Sequence, residues 1–321
     1  MTDIARIRAA AARARGIRPT PLLAAAALDR IAGRRVLVKA ECLQVTGSFK
    51  ARGAWAAVSA LAPEARRRGV LAYSSGNHAQ GIAWAAAGHG APAVILMPSD
   101  APPVKIERTR ALGAEVVLYD RATEDRDALG AELAAARGLE PIPPFDHPEV
   151  IAGQGTTGLE LAAQAADEGI VAADVLVPCG GGGLASGIAL ACEAEAPGLR
   201  VRPVEPAGFD DMARSLAAGE RLGNPRTTGS VCDAILTPRP GSLTFPLLAR
   251  LAGPGLAVTD AEALRAISLA FAHLRIVLEP GGAVALAAAL FRPEAIEGDA
   301  VLCVASGGNV DPTLFAETLR G

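Results

Sequence analysis

Residues 70–81 read Val70-Leu71-Ala72-Tyr73-Ser74-Ser75-Gly76-Asn77-His78-Ala79-Gln80-Gly81: a short aliphatic run, a turn of small polar residues, then an Ala-rich stretch. Strand, turn and helix in that order open a βαβ unit. The pattern repeats along the chain. Strands are predicted over Val36–Lys39, Val70–Ser74, Ala93–Met97, Val116–Tyr119, Val175–Pro178, Val201–Val204 and Val301–Val304, most followed by a Gly- or Ser-bearing turn and a helix. The fold class is therefore α/β with mostly parallel sheets. In open α/β sheets ligands bind beyond the carboxyl ends of the strands, so the turns at 74–78, 179–184 and 305–309 matter most. Pro141-Ile142-Pro143-Pro144-Phe145 interrupts the pattern before a helix expected from Ala152. A crossing there makes 69–145 a small inserted domain, with 1–68 and 146–321 forming the larger one.

The chain has 321 residues, half of them hydrophobic but only 3% aromatic, enough for a large core and two subdomains. Its 31 basic and 34 acidic residues give a net charge of -3, a balance that does not suggest nucleic acid. No apolar run approaches a membrane span, and the amino terminus opens an Arg/Ala helix without a signal-peptide core, so a cytoplasmic protein with no membrane partner is expected. Cys42, Cys179, Cys192, Cys232 and Cys303 are scattered and never spaced as CxxC; they read as reduced packing residues.

Twenty-odd residues before the 74–78 turn lies Thr46-Gly47-Ser48-Phe49-Lys50. Only Lys39, Lys50 and Lys105 are lysines among the 31 basic residues, so a lysine in a Gly/Ser turn that opens a helix is notable. An amine can condense with a carbonyl group at neutral pH, which arginine cannot. Alone, Lys50 would be an ordinary surface residue. Gly180-Gly181-Gly182-Gly183, with Leu184 starting the next helix, follows the strand at 175–178 and can turn its backbone N–H groups onto a phosphate. The same loop, with Glu205 ending the following strand, also fits a dinucleotide fold in which the acid holds a ribose hydroxyl, or merely a tight turn. Ser74, Ser75, Gly76, Asn77 and His78 could cap their helix, or together hold a carboxylate at its amino terminus. Ser306-Gly307-Gly308-Asn309 alone is only a turn.

Taken together these residues resemble the fold-type II (tryptophan synthase β-like) pyridoxal-phosphate enzymes, in the branch of threonine/serine dehydratases and serine racemase. The likeness runs from Arg18-Pro19-Thr20-Pro21-Leu22 through TGSFKARG at 46–53, SSGNHAQG at 74–81, PFDHPEVIAGQGT at 144–156, GGGGLASG at 180–187 and LEPGGA at 278–283 to SGGNVD at 306–311. The dinucleotide alternative accounts for neither Lys50 nor the 74–78 turn. The resemblance implies two open, mostly parallel sheets flanked by helices, pyridoxal 5'-phosphate as cofactor, a small amino-acid substrate and a homodimer. Lys50 would be the Schiff-base lysine, Phe49 would pack beside the pyridine ring and Asn77 would bond the ring hydroxyl. Gly180, Gly181, Gly182, Gly183 and Leu184 would hold the phosphate, and Ser306 would face the pyridine nitrogen. A neutral hydroxyl there makes a weaker electron sink, which favours elimination. Ser74, Ser75, Gly76, Asn77 and His78 would contact the substrate carboxylate.

The implied activity is dehydration of L-threonine or L-serine to a 2-oxo acid and ammonia, with racemisation of serine and dehydration of 3-hydroxyaspartate as alternatives. Ser75 leans toward racemisation, because many simple threonine dehydratases have alanine there, whereas serine racemase has a proton-exchanging serine. Glu205, the Phe209 carbonyl and Asp211 resemble the divalent-cation site of serine racemase; oxygen ligands imply Mg²⁺, Mn²⁺ or Ca²⁺. The plain alternative for these acids is a helix cap at Asp210 or Asp211. The chain ends ten residues after Asp311, so a regulatory domain and feedback by isoleucine are not expected. Residues 222–246 match neither subgroup. A β-replacement enzyme such as cysteine synthase fits the SSGNH turn poorly, and a cofactor carrier without turnover would not need Lys50, Ser306 and the glycine loop intact.

Overall fold

The computed structural model describes residues 2–226 and 228–320. Short runs rich in Val, Leu and Ile, bounded by Gly, Pro and polar residues, form ten strands. These are β1 (Leu22–Ala24), β2 (Arg35–Lys39), β3 (Val70–Tyr73), β4 (Ala93–Pro98), β5 (Glu115–Tyr119), β6 (Glu140–Pro141), β7 (Ala173–Pro178), β8 (Leu199–Pro206), β9 (Leu256–Val258) and β10 (Ala300–Val304). One sheet has the order β1-β2-β10-β7-β8-β9, the other β5-β4-β3-β6. Every pairing is parallel except β1 against β2. The seven predicted strands are present, with ends moved by up to two residues; β1, β6 and β9 are too short to show a period.

The chain builds outward from β7 to β8 and β9, then returns to insert β10 between β2 and β7. That reversal opens a crevice at the carboxyl ends of β7 and β10. The helix expected from Ala152 begins earlier, at Pro148, and runs to Asp167. Proline here occupies the first turn, where its missing N–H costs nothing, and His147 Nδ1 accepts from Val150 N. Among the described residues no helix is long and apolar enough to cross a membrane.

The Lys50–Ala60 helix packs away from its own end of the sequence. Its Ala54, Trp55, Ala57 and Val58 share a core with Val70, Ile82, Ile95 and Met97 of the four-stranded sheet and its helices. A buried ionic lattice fixes the start of that helix. Arg52 Nε and Nη2 donate to Glu41 Oε2 and Oε1 at 2.7 and 2.8 Å, while Nη1 and Nη2 reach Glu160 Oε1 and Oε2 at 2.7 and 2.9 Å. Lys39 Nζ donates to Glu160 Oε2 (2.6 Å), Thr20 O and Gln164 Oε1. Lys39 and Glu41 are fully buried and Arg52 nearly so.

Two cations facing two carboxylates, with their oxygens and protons saturated, form a neutral set that is buried except at the half-buried Glu160. Removing one member strands its partners. Arg52→Met is expected to cost about 3–5 kcal/mol in urea unfolding, as for other broken buried ion pairs. Arg52→Lys should restore only part of this, because a point donor cannot fork to both carboxylates.

Candidate active site

The turns after β3, β7 and β10 and the start of the Lys50 helix line one cavity of about 960 Å³. Phe49, Lys50, Ser74 to His78, Gly180 to Leu184 and Ser306 all contribute to its wall.

Lys50 reaches the cavity through a contorted approach. Thr46 (φ 63°) and Gly47 (φ 76°) both take left-handed conformations, unusual for threonine. The segment is then stitched to the turn after β10: Ser48 bridges Gly307, Phe49 N donates to Ser306 O at 3.0 Å, and Gly308 N donates to Gly47 O. Lys50 Nζ donates to Pro144 O at 2.7 Å and lies 5.1 Å from the centre of the Phe49 ring. Burial lowers the lysine's pKa to about 8, against the attraction of the Glu279 carboxylate.

At the 74–78 turn the capping expectation is corrected. The N-cap of the Asn77–Gly88 helix is Gly76, and no side chain caps it. Ser74 Oγ instead accepts from Gly76 N within the turn. The Ser75 hydroxyl is therefore not spent on a cap, and the helix start can receive an anion. Asn77 uses both ends of its amide: Nδ2 donates to Glu279 Oε1 at 2.6 Å, and Oδ1 accepts from Asn309 Nδ2 at 2.7 Å. His78 is buried, with Nε2 donating to Ile142 O at 2.8 Å. Burial and then the Lys50 charge push its pKa down to about 3, so the imidazole is neutral and committed to the backbone.

The Gly183–Glu195 helix starts one residue before the expected Leu184, again without a side-chain cap. Gly182 has φ 93°, and a Cβ on Gly181 would lie 2.3 Å from the Phe145 ring, so both positions require glycine. Thr237, whose Cγ2 lies beside Gly180, lines the cavity with a buried hydroxyl that has no partner among the described residues. Sequence reasoning passed over Thr237 because 222–246 matched no pattern. Glu279 was also missed: an acid just before Pro280 at the start of an apolar helix reads as a simple cap, yet it caps nothing and holds Asn77. Ser306 is buried on the cavity wall.

Glu205 and Asp211 lie apart from this wall, at the end of β8. The cap predicted at Asp210 or Asp211 is made instead by Glu205, whose oxygens accept from Met212 N and Ala213 N at 2.9 and 2.8 Å. Asp211 Oδ1 accepts from Asn224 Nδ2, and Oδ2 is buried without a partner among the described residues. Burial and mutual repulsion push the Glu205 carboxyl well up; burial lifts Asp211 to about 6, opposed by the Asn224 bond. Among the described residues no group of three or more His, Cys, Asp or Glu converges as metal ligands, so a cation here would draw on two carboxylates and backbone oxygen.

Residues 13–307 match the family model described as pyridoxal-phosphate dependent enzyme. The L-threo-3-hydroxyaspartate ammonia-lyase of Saccharomyces cerevisiae is 40% identical over 308 residues, covering 95% of this chain and 92% of that protein. The serine racemase of Schizosaccharomyces pombe is 39% identical over 94% of this chain and 91% of its own. Among solved structures, the T.th. threonine deaminase superposes with a TM-score of 0.90 at 43% identity, over 96% of this chain and 99% of that one.

Burial pushes the Glu279 carboxyl up from its ordinary value to about 7, against the hydrogen bond from Asn77. In the ligand-free chain the acid keeps its proton between pH 4.5 and 7 while the unfolded chain loses it, so stability falls as pH rises through that window. Glu279→Gln keeps an acceptor for Asn77 and carries no such penalty. Its advantage in urea unfolding should be absent below pH 4.5 and grow to about 3 kcal/mol above pH 7. A difference independent of pH would show that the carboxyl titrates normally.

Proposed function

The chain belongs to the pyridoxal-phosphate dependent enzymes, in the fold-type II family of amino-acid ammonia-lyases and racemases, and from that premise we propose that it eliminates water from β-hydroxy amino acids, L-serine and L-threonine among them, to give a 2-oxo acid and ammonia. The observation that carries this reading is a lysine amine with lowered pKa, set in the same cavity as an uncapped helix start and a glycine cup.

The residues present fit the cofactor. Uncapped N–H groups at Gly183 and Leu184 and the unpartnered Thr237 hydroxyl suit its phosphate, Phe49 and Ser306 its ring, and Lys50 its aldehyde. Bound there, pyridoxal phosphate supplies a carbonyl that captures the substrate amine and a ring that withdraws electrons from the α-carbon. Lys50 Nζ, with its pKa near 8, is available as a base for the α-proton close to neutral pH. The helix start at Ser75, Gly76 and Asn77 holds the α-carboxylate, the positive end of the helix facing the negative charge. Loss of the α-proton and β-hydroxide, the latter leaving as water, yields an enamine that hydrolyses to the oxo acid and ammonia. His78, neutral and bound to Ile142 O, serves to hold the wall. Ser306 would give the ring nitrogen an uncharged neighbour, which favours elimination over a long-lived carbanion.

A second reading, racemisation, is favoured by one observation: the Ser75 hydroxyl lines the cavity and is not used as a cap. A panel of L- and D-serine and L- and D-threonine, scored for ammonia and for enantiomer, separates the two. Lys50→Ala should lose ammonia release by several orders of magnitude, and borohydride should fix the yellow cofactor to the Lys50 peptide. Ser75→Ala should keep elimination and lose α-carbon inversion. Equal loss of both would make Ser75 a binding residue.

The same reading places a divalent cation at Glu205, the Phe209 carbonyl and Asp211, supported by the unpartnered Asp211 Oδ2. Treatment with EDTA should lower the melting temperature, and Mg²⁺ or Mn²⁺ at a hundredfold excess over its Kd should restore about 2.7 kcal/mol by mass action. No response to metal, with Asp211→Asn unfolding like the parent, would leave these acids as cap and partner of Asn224.

A further inference from the structure

Pro144, Phe145 and Asp146 lie between β6 and the Pro148–Asp167 helix and touch two features of the cavity at once. Pro144 O accepts from Lys50 Nζ at 2.7 Å, and the Phe145 ring lies against Gly181 of the glycine cup. Asp146 holds a different part of the chain. Its Oδ2 accepts from Ser242 N and Oγ at 2.9 and 2.6 Å, and its Oδ1 accepts from Leu243 N at 2.7 Å. Burial opposes its charge, but the bonds from Ser242 and Leu243 hold the carboxyl below the ordinary carboxylate range. The turn fixed in this way ends at Thr244, which is fully buried and opens the Thr244–Leu251 helix.

Behind the cup this turn grips one carbonyl. Gly181 O accepts from Thr244 Oγ1 at 2.5 Å and from Gly241 N at 3.2 Å, which occupies both of its lone pairs. Thr244 and Gly241 stand outside the cavity wall, whereas Gly181 and Gly182 form part of it. A trans peptide directs its C=O and N–H to opposite sides, and none of the described peptide bonds is cis. With Gly181 O drawn back to the turn, the Gly182 N–H faces the cavity. We infer that Asp146 and Thr244 are positioning residues for the cofactor phosphate, which aim the Gly182 N–H into the cup without touching the ligand themselves. The inference rests on the pyridoxal-phosphate reading and is independent of which amino acid reacts. A donor fixed before the anion arrives loses little freedom on binding it, so the gain is in affinity.

The competing account makes this contact only a cap for the Thr244–Leu251 helix, relevant to stability and indifferent to phosphate. Two ligands separate the accounts, because pyridoxal 5'-phosphate and pyridoxal share ring and aldehyde and differ in the phosphate. The full chain is freed of cofactor and titrated with each, bound ligand being followed by its absorbance. In Thr244→Val the Kd for pyridoxal 5'-phosphate should rise about tenfold, while that for pyridoxal changes by less than about twofold. Thr244→Ser, which keeps the hydroxyl, should bind both as the unaltered protein does. The charge of Asp146 itself repels a phosphate, so its part is read through Ser242→Ala, which removes one of the three bonds at an exposed residue and leaves the carboxylate in place. That variant should weaken pyridoxal 5'-phosphate selectively, by about two- to threefold, and it decides alone if Thr244→Val does not fold. Equal losses for the two ligands, or no loss for either, would leave these residues as cap and packing and overturn the inference. A chain that binds pyridoxal 5'-phosphate no more tightly than pyridoxal would overturn the cup together with the inference. Because the titration reads binding without turnover, failure to release ammonia from any amino acid would sink the ammonia-lyase reading and leave this result standing.

Discussion

The position of the Lys50 amine depends on a buried guanidinium. Arg52 stands two residues beyond Lys50 and divides its forks between Glu41, just after β2, and Glu160, on the long Pro148–Asp167 helix. With Lys39 completing the charge balance, the lattice ties the Lys39–Glu41 stretch and the long helix to the first turn of the Lys50 helix. A planar donor with five protons can serve two carboxylates at once, and in a dry interior the directions of those bonds are hard to change. The helix start is thus held from behind, while the stitching of Ser48 and Phe49 to the turn after β10 holds it from the front.

Around the cavity the electrostatics follow from burial. Lys50 loses part of its affinity for a proton and Glu279 gains some, each for want of water. Most of the remaining polar wall is neutral: hydroxyls, amides, backbone N–H groups and an imidazole locked to a carbonyl. Such groups bind anions and orient a planar ring without adding fixed charges that would oppose movement of electrons away from the α-carbon. The cations Lys105, Arg108, Arg121 and Arg126 line the wall from the four-stranded lobe.

Much of this was legible in the sequence because strand-turn-helix order and glycine runs are local signals. The seven longer strands, the three turns and Lys50 fall where aliphatic runs and small residues put them, and the structure brings those turns to one cavity. What escaped depends on contacts between distant residues. Glu205 looks like the end of a strand but caps the helix six residues on, and Glu279 looks like a cap but holds Asn77. The helix expected from Ala152 begins four residues earlier, because the first turn of a helix accepts Pro148 freely. Thr237 has no motif at all; only the folded chain places it beside Gly180. Three short edge strands carry too few residues for a period to show.

The scarcity of lysine acquires a meaning once the three are placed. An aldehyde condenses with any accessible uncharged amine, and a lysine-rich surface would offer it many unproductive partners. Here Lys39 is sealed in the ionic lattice and Lys105 lines the cavity opposite the Asp233 carboxylate. The rest of the positive charge is carried by guanidinium groups, which do not react in this way at neutral pH. Under the proposed function, Lys50 is then the amine that both lines the cavity and has a lowered pKa, so that loading would be chemically selective before any geometric recognition begins.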